Sequence, residues 1–206
     1  MPQVIRKIII GTNNEDKLKE MLPYFNVIPN LGIVTPKELG IQSPEEDGDS
    51  FHANAKIKAD YYFEQSHFPA ISEDSGLCID ALDGEPGIYT ADWARECGSI
   101  ENFFKLICKK LEAINPNYKN EVITAVFKLV FIYRDAELTL AEEASIKGRI
   151  NLSLIGENGF GFDSFFIPDG YNKTFAELNG SEKDNVNPRV KALENLIKVL
   201  QAKGKL

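Results

Sequence analysis

The stretch SEDSGLCIDALDGEPGIY places two neighbouring carboxylates and a hydroxyl directly after an apolar segment. The carboxylates belong to Glu73 and Asp74, and Ser75 follows them before the chain reaches Gly76. Carboxylates can act as general bases or bind hard cations such as Mg²⁺. A turn between two strands needs a glycine and at most one acid, so the second acid and the serine exceed its needs. On these residues alone, a solvated turn and a catalytic site both stay open.

A second polar group follows the first apolar run, in the segment GTNNEDK. Thr12 or Asn14 can cap the helix that we predict to begin there. Free N–H groups and the helix dipole at a helix start bind anions, and Lys17, one turn into the helix, could reach a phosphate. The segment is not a P-loop, because Asp16 stands where GxxxxGK needs its second glycine. An ordinary capped helix is the alternative interpretation.

An acidic loop lies between these two groups, in SPEEDGDSF, where four acids fall within five residues. Such a run is usually a solvated loop. The functional alternative is a loop that brings a carboxylate to Mg²⁺, since that ion is held by one or two carboxylates together with phosphate oxygens and water.

The fourth polar group combines NGFGFDSFF with the later segment AELNGSEKDNVNPR. Glycine alternating with phenylalanine lets the backbone approach a flat ligand while Phe160 or Phe162 stacks on it. Asp163 could accept a hydrogen bond from a base edge or simply turn the chain. Lys183 and Arg189 add two cations, and arginine offers a planar fork of donors. The alternatives are a β-bulge with core aromatics and a charged helix start.

Alternating strands and helices must position these four groups. We predict a long loop over residues 35–50 and an α/β fold with a mixed sheet, in one domain over residues 1–206. Apolar, β-branched runs predict strands at residues 7–10, 31–35, 69–72, 77–82, 121–134 and 137–150. Helical periodicity and capping residues predict helices over EDKLKEML, ending near Pro23, over FHANAKIKADYYFEQ after Ser50, over residues 100–111, and from Pro188 onward.

Charge and cysteine content exclude several classes of protein. The chain has 206 residues and a net charge of −8, which argues against a nucleic-acid partner because phosphate backbones need a basic face. Its three cysteines form no CxxC pair, so a disulfide framework is not expected and a reducing, cytoplasmic location fits best. The apolar run near the start contains only three isoleucines, too few for a signal peptide or a membrane span.

In their order and spacing, the four groups resemble the motifs of the inosine triphosphate pyrophosphatase family. GTNNEDKLKE resembles the family's T-x-N-x-x-K, and SEDSGLCIDALDGEPGIY is similar to S-D-D-S-G-L-x-V-x-A-L-x-G-x-P-G-I-Y, its most specific block. GFGFD resembles G-F/Y-G-Y-D, and KTFAELNGSEKDNVNPR is similar to K-T-x-A-E-L-x-x-x-E-K-x-x-x-S-H-R. The resemblance spans nearly the whole chain.

The resemblance implies a fold and an activity. The implied fold is an elongated mixed β-sheet flanked by helices, with two lobes, an active-site cleft between them, and a homodimeric assembly. The implied reaction is Mg²⁺-assisted hydrolysis of ITP, dITP and XTP to the monophosphate and pyrophosphate, which removes non-standard purine nucleotides from the nucleotide pool. Neither a nucleic acid nor a membrane is expected as a partner.

The resemblance also implies roles for single residues. Asp74 would be the general base that activates water, and as an ordinary carboxylate it would need no large pKa shift to be ionised at neutral pH. Asp74 would also bind Mg²⁺, with Glu45 and Glu73 as further metal ligands. The implied substrate-binding residues are Thr12, Asn13, Asn14, Lys17, Lys58, Ser75, Phe160, Gly161, Phe162, Asp163, Lys183 and Arg189.

One departure from the family pattern concerns base selectivity. This chain has Asn187-Pro188-Arg189 where the family has Ser-His-Arg, so a polar contact with the purine is lost while the helix start is kept. We therefore expect weaker or altered selectivity for the base. Two rival interpretations stay open: a related house-cleaning pyrophosphatase with another base preference, and a non-catalytic nucleotide-binding protein on the same scaffold.

Overall fold

The computed structural model describes residues 6–206, which form a six-stranded sheet with helices. The strands lie in the order β2-β1-β3-β4-β5-β6. Their bounds are β1 Arg6–Ile10, β2 Leu31–Val34, β3 Ala70–Ile79, β4 Thr124–Arg134, β5 Thr139–Ile150 and β6 Phe166–Pro168. The α-helices are α1 Glu15–Asn26, α2 Pro36–Leu39, α3 Phe51–Ser66, α4 Thr90–Cys97, α5 Ile100–Ile114, α6 Gly180–Val186 and α7 Pro188–Ala202.

The sheet is mixed, as predicted. β1 runs parallel to β2 and to β3, with Ile9 opposite Val34 on one side and Ala70 on the other. β5 and β6 are antiparallel, with Ile150 opposite Phe166. The three isoleucines of β1 are buried, because a parallel strand covered on both faces needs a continuous apolar run. The α/β prediction is therefore confirmed.

Strand β3 corrects the sequence interpretation of the first acidic motif. We predicted two strands separated by a break at Gly76, but a single ten-residue strand runs through the whole motif. Glu73 and Asp74 consequently lie inside a strand, with only 2% and 7% of their surface exposed. Pairing within the sheet overrides the weak strand propensity of glycine and the acids, which is the usual limit of local preference. The turn alternative for this segment was wrong.

The helices also differ from expectation at two places. Helix α1 continues three residues beyond Pro23, where we predicted its end, and buries Met21 and Phe25. The burial of these side chains offsets the hydrogen bond that a proline cannot donate. Helix α2 lies inside the predicted loop, where Thr35 and Glu38 form a reciprocal capping box.

The remaining predicted helices are confirmed in place. Ser50 caps α3 by accepting a hydrogen bond from the backbone N–H of Ala53 at 3.2 Å, and α5 covers the predicted amphipathic segment. Helix α7 begins at Pro188, whose fixed φ suits the first turn of a helix. Helices α4 and α6 were not predicted, because seven or eight residues carry too little periodicity to recognise.

The described chain divides into two compact units. The first contains the described residues through Asp74, with Leu129–Ala144 and Arg189–Leu206, and the second contains Ser75–Lys128 and Ser145–Pro188. Helix α3 packs on the sheet in the first unit, where Tyr62 lies against Ile9. No helix within residues 6–206 is long and apolar enough to cross a membrane. A single domain over residues 1–206 stays a prediction.

Candidate functional site

The start of α1 is built from the residues that we predicted to bind an anion. Asn14 Oδ1 accepts hydrogen bonds from the backbone N–H groups of Asp16 and Lys17, at 3.0 and 3.1 Å. Thr12 Oγ1 accepts one from the N–H of Asn14 at 3.1 Å. Asn13 donates its side-chain amide to Ser43 Oγ at 2.8 Å, which joins the helix start to the acidic loop.

Gly11 lets this turn lie close to the acidic strand. A Cβ added at Gly11 would lie 2.1 Å from Ser72 Oγ and 2.4 Å from the ring of Tyr62. Real Cβ atoms do not approach other atoms so closely, because packed interiors leave no space for an added methyl group. Only glycine therefore fits between β3 and α3 at this position.

Glu73 is buried between two cations in the first unit. Its Oε1 atom lies 2.5 Å from Lys17 Nζ and 3.7 Å from Arg189 Nη2, and its side chain is 1% exposed. Burial by itself raises the pKa of a carboxyl group, but the charges of Lys17 and Arg189 outweigh it and lower the pKa of Glu73 to about 2. Glu73 is therefore a permanent anion, which suits a supporting role and not proton transfer.

The pKa of Asp74 is shifted in the opposite direction to that of Glu73. Its Oδ1 atom accepts a hydrogen bond from Lys58 Nζ at 3.0 Å, and the same ammonium contacts Glu46 Oε2 at 2.5 Å. Burial raises the pKa of Asp74 to about 6, although Lys58 and Lys17 oppose the rise. We expected an ordinary pKa for this carboxyl group, and the difference arises because the sequence does not reveal its burial. Lys58 is held protonated, since Asp74 and Glu46 raise its pKa despite burial.

Three buried oxygens at this site have neither a hydrogen-bond partner nor an ion-pair partner within residues 6–206. They are Ser72 Oγ, Glu73 Oε2 and Asp74 Oδ2. Buried polar atoms are nearly always paired, so unpaired ones at one place indicate a ligand, an ion or water that completes them. Carboxylate oxygens are ligands that Mg²⁺ prefers. The described residues hold no group of three or more His, Cys, Asp or Glu side chains able to hold a metal, but Mg²⁺ bound with a phosphate needs only one or two carboxylates.

The acidic loop contributes Glu46, which the sequence interpretation missed. We named Glu45 as a metal ligand; Glu45 and Glu46 are both exposed, and Glu46 is the one whose carboxylate contacts Lys58. The loop is fixed at both ends, by the contact of Ser43 with the α1 start and by a hydrogen bond from the N–H of Gly48 to Asn54 Oδ1 at 2.8 Å. Nothing in the sequence distinguishes two adjacent glutamates, because the loop conformation alone decides which one contacts Lys58.

A second polar pair lies in the second unit. Lys183 Nζ is 2.8 Å from Asp163 Oδ2, and the side chains are only 11% and 9% exposed. Asp163 also accepts a hydrogen bond from the N–H of Phe160 at 2.9 Å. The ammonium lies 5.7 Å from the ring centroid of Phe160 and 5.8 Å from that of Phe175, within reach of cation–π attraction.

The two glycine-flanked phenylalanines have different surroundings. Phe162 is half-buried, as Phe160 is, but its ring packs edge-on against Phe127 and Phe166, with centroid distances of 5.0 and 6.1 Å. Phe160 is half-buried beside Lys183, and Gly161 is exposed with a φ of 59°. Of the two rings, Phe160 is the one placed to meet a flat ligand.

The remaining predicted residues also have defined surroundings. Ser75 is half-buried directly after Asp74. Arg189 is 3% exposed, and its Nη1 atom lies 2.5 Å from Glu20 Oε2. Glu20 was not among the predicted residues, but its position three residues after Lys17 places both side chains on one face of α1. That spacing was the signal that could have identified it.

Comparison with known proteins found relatives that match nearly the whole chain. A model of the Ham1 family matches residues 8–199. A dITP/XTP pyrophosphatase of Ruegeria pomeroyi is 36% identical over 193 residues, covering 93% of both chains. One of Haemophilus influenzae is 37% identical over 195 residues, covering 93% of this chain and 97% of the relative. The structure of a HAM1 protein from Coxiella burnetii superposes with a TM-score of 0.85 at 29% identity, over 96% of this chain and 99% of the other.

Proposed function

The chain belongs to the Ham1 family, and we propose that it hydrolyses ITP, dITP and XTP to the monophosphate and pyrophosphate. The names of its relatives support this, and so does the family resemblance of its motifs. The observation that carries the proposal is Asp74: a buried carboxylate with a pKa near 6, one oxygen on Lys58 and the other without a partner within residues 6–206.

Asp74 is the general base in this proposal. A carboxylate with a raised pKa accepts a proton more readily than an ordinary one, and at pH 7 to 8 it is still mostly ionised. Lys58 holds Oδ1 at 3.0 Å, which orients the group and leaves Oδ2 to accept a proton from water. The water then attacks the α-phosphorus, and pyrophosphate leaves.

Lys17, Lys58 and the N-terminal end of α1 would bind the phosphates. A triphosphate is repelled by a protein with a net charge of −8, so local cations must reverse the field. Thr12, Asn13 and Asn14 surround the helix start, where the positive end of the helix dipole favours an anion.

We propose that Mg²⁺ assists the reaction, with Asp74 and Glu46 as the acids best placed to hold it. When bound, the ion would neutralise charge on the leaving pyrophosphate. Asp74 Oδ2 has no partner within residues 6–206, and Glu46 meets Asp74 through Lys58. Glu45 is supported less because Glu46, and not Glu45, contacts Lys58, and Glu73 would act through its contacts with Lys17 and Arg189.

Phe160, Asp163 and Lys183 would meet the purine. A ring beside a buried ion pair offers a stacking face together with a donor and an acceptor for a base edge. We further propose a homodimer in a reducing, cytoplasmic environment. The homodimer rests on the resemblance, and the free thiols of Cys78, Cys97 and Cys108 support the environment.

Pyrophosphate release tests the proposal. The wild-type protein with Mg²⁺ should release pyrophosphate from ITP, dITP and XTP, and Asp74→Asn should abolish the release. If the wild type releases none from any of a panel of nucleoside triphosphates, the enzymatic function is refuted and a nucleotide-binding protein remains. Release from other nucleotides in preference to these three would indicate a related pyrophosphatase with a different base preference.

A further inference from the structure

A buried amide that the proposed reaction does not use attaches the acidic loop to helix α3. Asn54 lies in the first turn of α3 and is only 4% exposed. Its Oδ1 atom accepts a hydrogen bond from the backbone N–H of Gly48, at 2.8 Å. A buried amide oxygen is costly unless it is paired, so the helix and the loop are each stabilised by this contact.

Gly48 lies too close to α3 to carry a side chain. A Cβ added at this position would lie 2.6 Å from Asn54 Oδ1 and 2.7 Å from the Cβ of Ala53. Packed structures do not contain such short approaches between carbon and other heavy atoms. The glycine therefore lets the backbone of the acidic loop touch the helix, which brings its N–H group to Asn54.

The same face of α3 also carries the lysine of the acidic centre. Asn54 and Lys58 are four residues apart in the helix, so their side chains are neighbours on one face. Lys58 Nζ lies 3.0 Å from Asp74 Oδ1 and 2.5 Å from Glu46 Oε2. Helix α3 thus holds the acidic loop at two points, through a charged pair at Glu46 and through a neutral bond at Gly48.

The charged pair cannot hold the loop throughout the proposed reaction. In that reaction Lys58 binds a phosphate and Glu46 helps to hold Mg²⁺, so both side chains take other partners. The bond between Asn54 and Gly48 involves neither of them, because it joins an uncharged amide to the backbone. Asn54 is therefore able to keep the loop on α3 at every stage.

We infer that Asn54 is a positioning residue, which anchors the acidic loop at Gly48 so that the loop carboxylates stay near Asp74, where Mg²⁺ is proposed to bind. The inference rests on the proposed function, and Asn54 itself touches no reacting atom. Hydrogen bonds that orient the ligands of a metal contribute strongly to its binding, since their loss costs roughly 10- to 100-fold in metal affinity or activity.

The first test compares Asn54→Ala with Asn54→Asp and Gln65→Ala. Alanine leaves the N–H of Gly48 without its acceptor, whereas aspartate keeps an oxygen at the same place. Gln65 is an exposed amide on the same helix, so its variant controls for loss of an amide from α3. Exchange of the Gly48 amide hydrogen, measured by NMR, should become roughly tenfold faster in Asn54→Ala and stay within about twofold of wild type in the other two variants.

Metal binding is the second measurement. The affinity for Mn²⁺ without nucleotide, measured by electron paramagnetic resonance of the unbound ion, should fall roughly tenfold in Asn54→Ala. Asn54→Asp should bind Mn²⁺ at least as tightly as wild type, and Gln65→Ala should stay within about twofold of it.

The Mg²⁺ requirement of the reaction separates positioning from a loss of stability. In Asn54→Ala, the Mg²⁺ concentration for half-maximal pyrophosphate release should rise roughly tenfold, while kcat at saturating Mg²⁺ changes less than about threefold. A variant that only unfolds more easily would lose activity equally at every Mg²⁺ concentration, and its Mg²⁺ requirement would not move.

Gly48→Ala disturbs the same contact from the side of the loop. Its Cβ would overlap Asn54 Oδ1, so we expect the same rise in the Mg²⁺ requirement, and this variant also serves if Asn54→Ala does not fold. The double variant of Gly48→Ala and Asn54→Ala should be little worse than the worse of the two single variants, because both break one contact.

Several results would overturn the inference. They are an unchanged Gly48 exchange rate in Asn54→Ala, an unchanged Mn²⁺ affinity and Mg²⁺ requirement in folded variants, and losses that multiply in the double variant. If the wild type binds Mn²⁺ but releases no pyrophosphate, the proposed function fails by itself, while a lower Mn²⁺ affinity in Asn54→Ala still supports the anchor. A wild type that does not bind Mn²⁺ would overturn the inference even if pyrophosphate is released.

Discussion

Replacing each of the two adjacent acids of β3 by its amide should change stability in opposite directions. The pKa of Asp74 is raised from 3.8 to about 6, so the folded state resists ionising this group. A shift of about two pKa units corresponds to roughly 3 kcal/mol at neutral pH, and Asp74→Asn should remove this cost. The same substitution should abolish activity, because an amide cannot accept the proton.

Glu73→Gln should instead destabilise the protein. The pKa of Glu73 is lowered from 4.5 to about 2, so its ionised form contributes to stability, again by roughly 3 kcal/mol. The amide would leave Lys17 and Arg189 without the anion between them, which adds to the loss. Both carboxyl groups are buried, so solvent screening reduces these figures little.

The pH dependence separates the two effects. Because the pKa of Asp74 is raised on folding, its cost is absent below pH 4, grows as the pH rises to 6, and is complete above that value. Because the pKa of Glu73 is lowered, its contribution is complete above pH 4.5 and is lost as the pH falls toward 2. The advantage of Asp74→Asn should therefore increase from pH 4 to 7, while the penalty of Glu73→Gln should be somewhat smaller at pH 4 than at pH 7 and constant above about pH 5.

Urea unfolding followed by circular dichroism measures both free energies, in EDTA and without nucleotide. Glu143→Gln, at an exposed position of β5, is the matched control and should change stability by less than about 0.5 kcal/mol. If Asp74→Asn is less stable than wild type at pH 7.5, or if its difference from wild type is the same at pH 4 and pH 7, then the electrostatic reasoning for Asp74 is wrong.

Three further predictions concern packing, metal and base. Gly11→Ala should lower the free energy of unfolding by roughly 1–3 kcal/mol, because the added Cβ would overlap Ser72 and Tyr62. In the control variant Gly180→Ala, the added Cβ meets nothing within 4 Å, so stability should be unchanged or slightly higher. Equal losses in the two variants would contradict the packing argument. EDTA should abolish pyrophosphate release, and Mg²⁺ should restore it. The affinity of the protein for Mn²⁺ should fall as the pH drops below about 6, because protons then compete with the metal for Asp74. An affinity that does not change with pH would exclude Asp74 as a ligand. The ratio of kcat/KM for ITP to that for GTP should be modest, and Pro188→His should raise it; a wild-type ratio above several hundred would refute the idea that the missing imidazole weakens selectivity.

The positions of the main elements followed from local sequence alone. The isoleucines of β1, the serine cap of α3, the apolar periodicity of α5 and the proline at the start of α7 act through neighbouring residues, so the chain reveals them without its fold. Short helices such as α2 were missed, because four residues held by one capping box leave no periodic pattern. The end of α1 was missed because distant packing of Phe25, and not the local effect of Pro23, decides it.

The candidate site likewise combines features that the sequence predicted with features that it did not. The sequence by itself determined which chemical groups are available, with acids, lysines and glycines in an order that predicted the family. Only the tertiary structure decided what each group does. It brought Glu46 and not Glu45 into contact with Lys58, joined Glu20 to Arg189 across 169 positions of sequence, and buried two adjacent acids inside one strand. The physical reason is that burial and opposite charge act through space, so Lys17 and Arg189 lower the pKa of Glu73 while burial raises the pKa of its neighbour Asp74.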